Sequence, residues 1–553
     1  MPSAKVRRWS GGWPGEFTGS IWASKSIDLE RSLSKVAIAE SLTAKANSTD
    51  LTNLTAPVAF IRTAADSTDR YWSLSQTGRL HKTTNTDPET GWAQDAIANT
   101  PTAGKWDMIE FSGALLVAID AGISRLSAGT WTAAWWTSTL GLTALTASVP
   151  HRFAILAGAL LITNGRYTAT YDGTIGTHQD LVLPSQFQQQ FIMATQDLAY
   201  IGTKSLNGGE AEMFAWDRAN TNYSGRWKVG DSECLAGFVV GGIPFIITKK
   251  GMILRFTGQG FTPFQQFPTV ELKKTINNID PNGISVDNNI VKILVDFGVI
   301  ADPRVRSGIW TLEIDTRNLY HSGSVKNNVA KDYSQQEIAT AGALLLTLPT
   351  QGRYLVGAQA YTAYSGTTMH GIFTLDEAST SNRGYFITPK IKAGNVRRFW
   401  REIFTRFNNF QNSTDRVRAA YRTSDSTTLP AFETITWVNA TSFTGSNANA
   451  AIGDFVEIIA GDNAGLLAKI TNKTGSGTFT FTIDVSGSAS TSTARAMYMK
   501  FTDMGTISSQ AQQEQVFRPL ARSNWIQYLI ELRGDEASPQ LEDIILDGGD
   551  VPF

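Results

Sequence analysis

Along most of the chain, short apolar runs alternate with polar, glycine-bearing turns, and segments of helical period are scarce. From Gly241 to Phe261 the sequence reads GGIPFIITKKGMILRFTGQGF: two β-rich runs, PFIIT and MILRFTG, joined through KKG. This predicts a hairpin with its turn on Gly251. A lone hairpin cannot bury its own apolar face, so the chain must supply partners. It does so repeatedly. GALLVAIDAGISRLSAGTW near Leu115 and GALLITNGRYTATYDGT near Leu160 carry the same pattern. Weaker copies begin near Tyr71, Leu198, Val291 and Tyr354. Their spacing of roughly 40 to 60 residues is that of arrays with about four strands per unit, as in propellers. The expected fold is therefore all-β, with a propeller of six or seven blades over residues 61–380 and residues 1–60 as an N-terminal arm and propeller-closing segment. Sandwiches in series are the alternative. Two short stretches, SIDLERSLSKVAIAESL and PSQFQQQFIMATQ, read ambiguously as helices.

After the last repeat the pattern changes. GYFITPKIKAGNVRRFWREIFTRFNNF and RVRAAYRTSDS, and later FRPLARSNWIQYLIELRGDEASPQLEDIILDGGD, read as strands of one discontinuous antiparallel β-sandwich, residues 381–428 and 501–553. Strict alternation places Phe399, Arg401, Ile403 and Thr405 on one face, and Trp400, Glu402, Phe404 and Arg406 on the other. Likewise Trp525, Gln527, Leu529 and Glu531 oppose Ile526, Tyr528, Ile530 and Leu532. Between the two pieces, residues 429–500 hold several short strands with tight turns at GDNAG and GSG. This predicts a small β-barrel inserted in a sandwich loop, where insertions are tolerated.

Composition agrees with this reading. Charged residues are 18% of the chain, below the usual quarter, and there are 15 Trp and 28 Phe. The net charge is −1 with no long basic run, which argues against a dedicated nucleic-acid binder. A single cysteine, Cys234, excludes an internal disulfide framework. MPSAKVRRWSGGW has no apolar run of a secretory signal, and no stretch approaches the roughly 20 apolar residues of a membrane span. Six sequons, at Asn47, Asn53, Asn222, Asn412, Asn439 and Asn472, read as chance products of a Thr-rich chain.

A degenerate propeller followed by strands such as RRFWREIFTRF, VRAAYRTSD and WIQYLIELRGDEASPQLEDIIL resembles tail proteins of tailed bacteriophages. SIDLERSLSKVAIAESLTAKANSTDLTNLTAP is similar to the opening of such propellers, and GDFVEIIAGDNAGLLAKIT to small barrel modules of phage virion proteins. The architecture is most like the tail nozzle or hub of short-tailed phages. The resemblance implies a virion structural protein, made in the bacterial cytoplasm and located in the tail. Its implied partners are copies of itself in a ring, other tail or adaptor proteins, and genomic DNA passing without sequence recognition. A glycan-binding tail-tip adhesin is the alternative, with host surface glycan as partner; a propeller depolymerase is the third reading.

The residues offer little chemistry. His81, His151, His178, His321 and His370 have no second histidine at metal spacing, and no H-E-x-x-H occurs. No G-x-S-x-G elbow is present, GGWPGEF lacks the Walker lysine, and no D-x-D-x-D-G calcium loop appears. Asp107 with Glu110, or Asp535 with Glu536, are carboxylate pairs of the kind glycosidases use, but sequence cannot place them across a cleft. Arg533-Gly534-Asp535 reads as a turn. The expectation is no enzyme, no cofactor and no metal. Trp131, Trp135 and Trp136 suit either a sugar-stacking platform or blade cores. Trp9, Trp13 and Trp22, in a Gly- and Ser-rich arm, are the candidate partner-binding residues.

Overall fold

A computed structural model describes segments 4–6, 23–25, 27–28, 37–38 and 40–47, and most of 57–549. Within that last span, 76–78, 89, 96–105, 299, 301, 324, 327–334, 337, 349–352, 361–369, 381–382, 389, 393–397, 409–414, 424–430, 462, 488, 508–513 and 535–539 lie outside the description.

Six four-stranded antiparallel sheets follow one another from Pro57 to Gly323. A seventh is built from Ile338–Leu348, Arg353–Ala360 and His370–Thr380, and takes its fourth strand, Glu40–Asn47, from near the start of the chain. The first strand of each sheet lies innermost. The first strand of blade 7 packs on that of blade 1, Pro57–Thr63, so the seven blades close into a ring. That seam needs small residues. A Cβ on Gly357 would meet the Pro57 carbonyl and ring at 2.7 Å, and one on Gly342 would collide with the Pro57 and Gly357 carbonyls. Blade 7 then continues outward through Val325–Lys326, which runs parallel to Glu40–Asn47, and Gln335–Gln336.

The propeller, sandwich and barrel anticipated from the sequence are the fold observed. The hairpin repeat reads each apolar run near 71, 115, 160, 198, 244, 291 and 353 as the first strand of its unit, but each is the second strand of its blade. These strands include Ala114–Ile119, Ala159–Asn164 and Ile243–Thr248, and they are nearly all buried. The stretch PSQFQQQFIMATQ holds a strand, Phe187–Ala194, and the described parts of SIDLERSLSKVAIAESL are extended; neither is helical.

Two sheets form the sandwich. One orders Ala4–Val6, Gln540–Gly549, Arg398–Asn408 and Glu514–Phe517; the other orders Ala23–Lys25, Arg383–Ile387, Trp525–Arg533, Arg416–Thr423 and Thr502–Ile507. The N-terminal segment thus adds one strand to each sheet. Strict alternation fails once in Arg398–Asn408. A bulge between Trp400 and Glu402 shifts the phase, so Trp400, Ile403, Thr405 and Phe407 all point inward. In Trp525–Arg533 the alternation holds, but both faces are buried. Ile526, Tyr528, Ile530 and Leu532 fill the sandwich core, while Leu529 packs under the barrel with Tyr385, Ile387, Phe455, Leu467 and Met497.

Six strands between Ala431 and Met499 close the barrel around Ile435, Trp437, Phe443, Val456, Ile458 and Phe481. It therefore has its own core and a second, shared apolar face on the sandwich.

Candidate functional site

The propeller meets the other two modules at one buried node. Arg306 stands in the connection between the second and third strands of blade 6 and is fully buried. Its guanidinium donates to Glu457 of the barrel strand Phe455–Gly461 and, at 2.7 Å, to the Tyr385 hydroxyl of the sandwich. Tyr385 in turn donates to Glu457 at 2.9 Å, and the Met497 sulfur lies 3.7 Å from Arg306. Burial raises the Tyr385 pKa well above its ordinary value, so the phenol stays a neutral donor. Around the node, Tyr320 from blade 6 enters the sandwich core. Arg422 of the sandwich faces Asp302 and Arg304 of the Arg306 connection; burial pushes its pKa down to about 10 while Asp302 opposes that shift. A buried ion pair with hydrogen-bonded partners fixes geometry rather than adding much net stability.

The second feature is the propeller axis. The turn Asp280–Gly283, between blades 5 and 6, crosses it. Asp280 caps the turn by accepting the Asn282 N–H at 2.9 Å and receives Arg152 of blade 3 at 2.9 Å. Asn282 donates to the Val58 carbonyl of blade 1 at 3.0 Å and to Asp107, ahead of blade 2, at 2.9 Å. Arg152 also donates to the Trp106 carbonyl at 2.5 Å. Beside this turn lies a pocket of about 360 Å³ lined by Trp106, Arg152, Gln190, Glu233, Asn278 and Asp280 among others. Among the described residues, this turn and its partners cross the blade axis of the subunit.

The carboxylates, histidines and tryptophans singled out in the sequence take mostly structural places. Asp107 is buried, and its carboxylate accepts from the Met108 and Phe153 N–H groups and from Asn282; burial raises its pKa. It holds the axis together, whereas Glu110 lies exposed. Asp535 and Glu536 lie outside the described residues. His151 is buried between the carbonyls of Thr163 and Asp120, and His321 packs edge-on against Trp310. Among the described residues no group of His, Cys, Asp and Glu could hold a metal ion. No helix there is long and apolar enough to cross a membrane. Trp135 and Trp136 do not form a platform: both are buried, Trp135 edge-on to Tyr171 at 5.0 Å and Trp136 donating to the Thr143 carbonyl at 2.9 Å. Trp131 donates to Asp95 at 3.1 Å and packs on Trp72. Trp9, Trp13 and Trp22 lie outside the described residues, but the strands Ala4–Val6 and Ala23–Lys25 that flank them pair with this chain's own sandwich.

No protein-family model matches the chain, and no curated protein matches it. Among solved structures it is similar to the extracellular domain of BT4673 from B. thetaiotaomicron, at 14% identity over 71% of this chain and 44% of the other, with a TM-score of 0.42. It thus spans under half the length of that protein. The β-propeller domain of Cps50 (Swd1) from Myceliophteria thermophila matches at 10% identity over 61% of this chain and 98% of its own, TM-score 0.39. The computationally designed Ika8 protein matches at 11% over 59% and 98%, TM-score 0.36. At these scores the likenesses add nothing to what the sheet order already establishes.

Proposed function

We propose that this protein is a non-enzymatic structural component of a bacteriophage tail, working as a ring-forming nozzle or hub subunit. The observation that carries the reading is the Arg306–Glu457–Tyr385 node. It ties propeller, barrel and sandwich into one body at residues buried completely, as a part that transmits fixed geometry between neighbours requires. A head-to-tail ring also needs two different patches on each subunit. Exposed large apolar side chains occur on two parts of the molecule: Ile155, Ile175, Val182 and Leu206 on blades 3 and 4 and the loops beside them, and Val438, Ile452, Val516 and Leu520 on barrel and sandwich. DNA would pass through the lumen of the ring. The test is electron microscopy of the purified protein with mass measurement across concentration. Closed rings, weakened by Ile175→Asp or Ile452→Asp, are expected; a monomer at every concentration, or oligosaccharide release from host envelope, overturns the reading.

One observation favours the adhesin as a second reading. The axial pocket combines the half-buried Trp106 with Gln190, Asn278 and Glu233, a mixture of aromatic face and amide groups that suits a sugar. Glycan binding lost on Trp106→Ala would put this reading first.

A further inference from the structure

Three Asn–Gly pairs occur in the chain: Asn164–Gly165, Asn207–Gly208 and Asn282–Gly283. In such a pair the backbone can react with the asparagine side chain, because glycine sets no Cβ in the way of its own nitrogen. The fold treats the three differently. Asn164 is wholly buried, and its Oδ1 receives the Thr146 N–H at 2.6 Å. Asn282 is locked into the axial turn. Its Nδ2, the group that would leave, donates to the Val58 carbonyl and to Asp107. The Gly283 N–H, whose nitrogen would attack, is held by the Asp280 carbonyl at 2.7 Å.

Asn207 stands otherwise. It lies exposed in the turn between the second strand of blade 4, Ala199–Ser205, and the third, Glu212–Trp216. Its Oδ1 receives two donors, the Ser205 hydroxyl at 2.8 Å and the Gly209 N–H at 3.2 Å. Donors aimed at an amide oxygen polarise the carbonyl and stabilise the oxyanion that forms on attack. Among the described residues, neither the Gly208 N–H nor the Asn207 Nδ2 is engaged in a hydrogen bond. Gly208 has a φ of 75°, and a Cβ there would meet nothing within 4 Å, so the attacking nitrogen sits in open space.

We propose that Asn207 is a site of self-modification, converting in the folded protein to aspartate and isoaspartate. The Gly208 nitrogen attacks Cγ of Asn207, and a new C–N bond closes a succinimide ring. The bond from Cγ to Nδ2 breaks, and ammonia leaves with the proton that Gly208 gives up. Water then opens the ring at either carbonyl, with no change of oxidation state. Either product adds a negative charge next to Leu206, an exposed apolar side chain. Isoaspartate also lengthens the backbone of the turn by a methylene.

The test incubates the full chain at mildly alkaline pH in water labelled with heavy oxygen. The three asparagines fall on separate tryptic peptides, 153–166, 205–218 and 275–292. Mass spectrometry reads the uptake of heavy oxygen in each, and chromatography separates aspartate from isoaspartate. A second readout is carboxyl methylation of the 205–218 peptide by a protein isoaspartate methyltransferase with labelled S-adenosylmethionine. In the folded chain Asn207 should convert at least about tenfold faster than Asn164 and Asn282, which react only through local opening. In guanidinium the three rates should converge, because the fold no longer selects among them. Asn207→Gln should leave the 205–218 peptide without heavy oxygen or methyl label, since the larger ring it needs closes slowly. Conversion of Asn207 no faster than that of Asn164 and Asn282 in the folded chain overturns the proposal. So does a spread of rates that persists unchanged in guanidinium, or label in the 205–218 peptide of the Gln variant.

Discussion

Removing the cation from the buried node should loosen the three modules, and the size of the effect can be worked stepwise. Arg306→Met keeps length and apolar bulk but leaves Glu457 a buried carboxylate facing the Tyr385 hydroxyl at 2.9 Å. Breaking a buried pair from one side costs roughly 3–5 kcal/mol. Adding Glu457→Met removes that charge and leaves the buried Tyr385 hydroxyl without these two partners, a loss of about 1–3 kcal/mol. Adding Tyr385→Phe removes the last polar group, and the triple variant should return to within about 1 kcal/mol of wild type, because apolar replacements of a buried pair are often neutral. The assay is urea unfolding followed by tryptophan fluorescence, with limited proteolysis to report opening between modules. Because a chain of several modules need not unfold in two states, the first transition is the quantity compared. The expected order of midpoints is single below double below triple. A triple variant no better than the single would show that the node is held by something other than the charge of Glu457.

Three further outcomes check other parts of the fold. Gly357→Ala places a Cβ 2.7 Å from the Pro57 carbonyl at the seam of blades 7 and 1, and should cost about 1–3 kcal/mol in urea melts, as overpacking does; a neutral result would mean the seam can give. Cys234 is buried with its pKa pushed up to about 12, so a thiol reagent should label it only in denaturant, and rapid native labelling would contradict its place in the cluster shared by blades 4 and 5. Burial lowers the pKa of His151 below its ordinary 6.5, so the unfolded chain binds the proton first as pH falls. Its contribution is present above pH 6.5 and lost as pH falls below it toward the folded-state value, and His151→Gln should flatten the stability profile on the acid side of pH 6.5.

The blade repeat is legible through its second strands because these are hydrogen-bonded on both edges and covered on both faces. Leu115–Val117 and Leu160–Ile162 are almost wholly buried, so they read as continuous apolar runs. First strands are less visible because they line the axis: Phe187–Ala194 alternates buried and half-buried residues, including Gln188 and Gln190, and its sequence passes for an ambiguous helix. The bulge beside Trp400 carries no glycine or proline to announce it. The node is out of reach of sequence patterning, since Arg306 and Glu457 lie 151 residues apart. Yet one signal is present: in FVEIIAG, Glu457 is the single charge in an apolar run, and such a residue calls for a buried partner.

The N-terminal segment has a consequence for how the molecule comes together. Ala4–Val6 pairs with Gln540–Gly549, Ala23–Lys25 with Arg383–Ile387, and Glu40–Asn47 with His370–Thr380. These three strands therefore wait for partners made several hundred residues later, and they serve both sandwich sheets as well as the last blade. Such pairings have high loop-closure cost and form late. Closing the ring of blades and completing the sandwich are thus coupled through one short segment, which the Arg306 node reinforces from the opposite side of the sequence. This also narrows what an N-terminal arm can be. With Ala4–Val6 and Ala23–Lys25 both paired to the chain's own sandwich, any contact that Trp9, Trp13 or Trp22 makes with a neighbour is made from between two fixed points, and its reach is bounded by the length of chain that joins them.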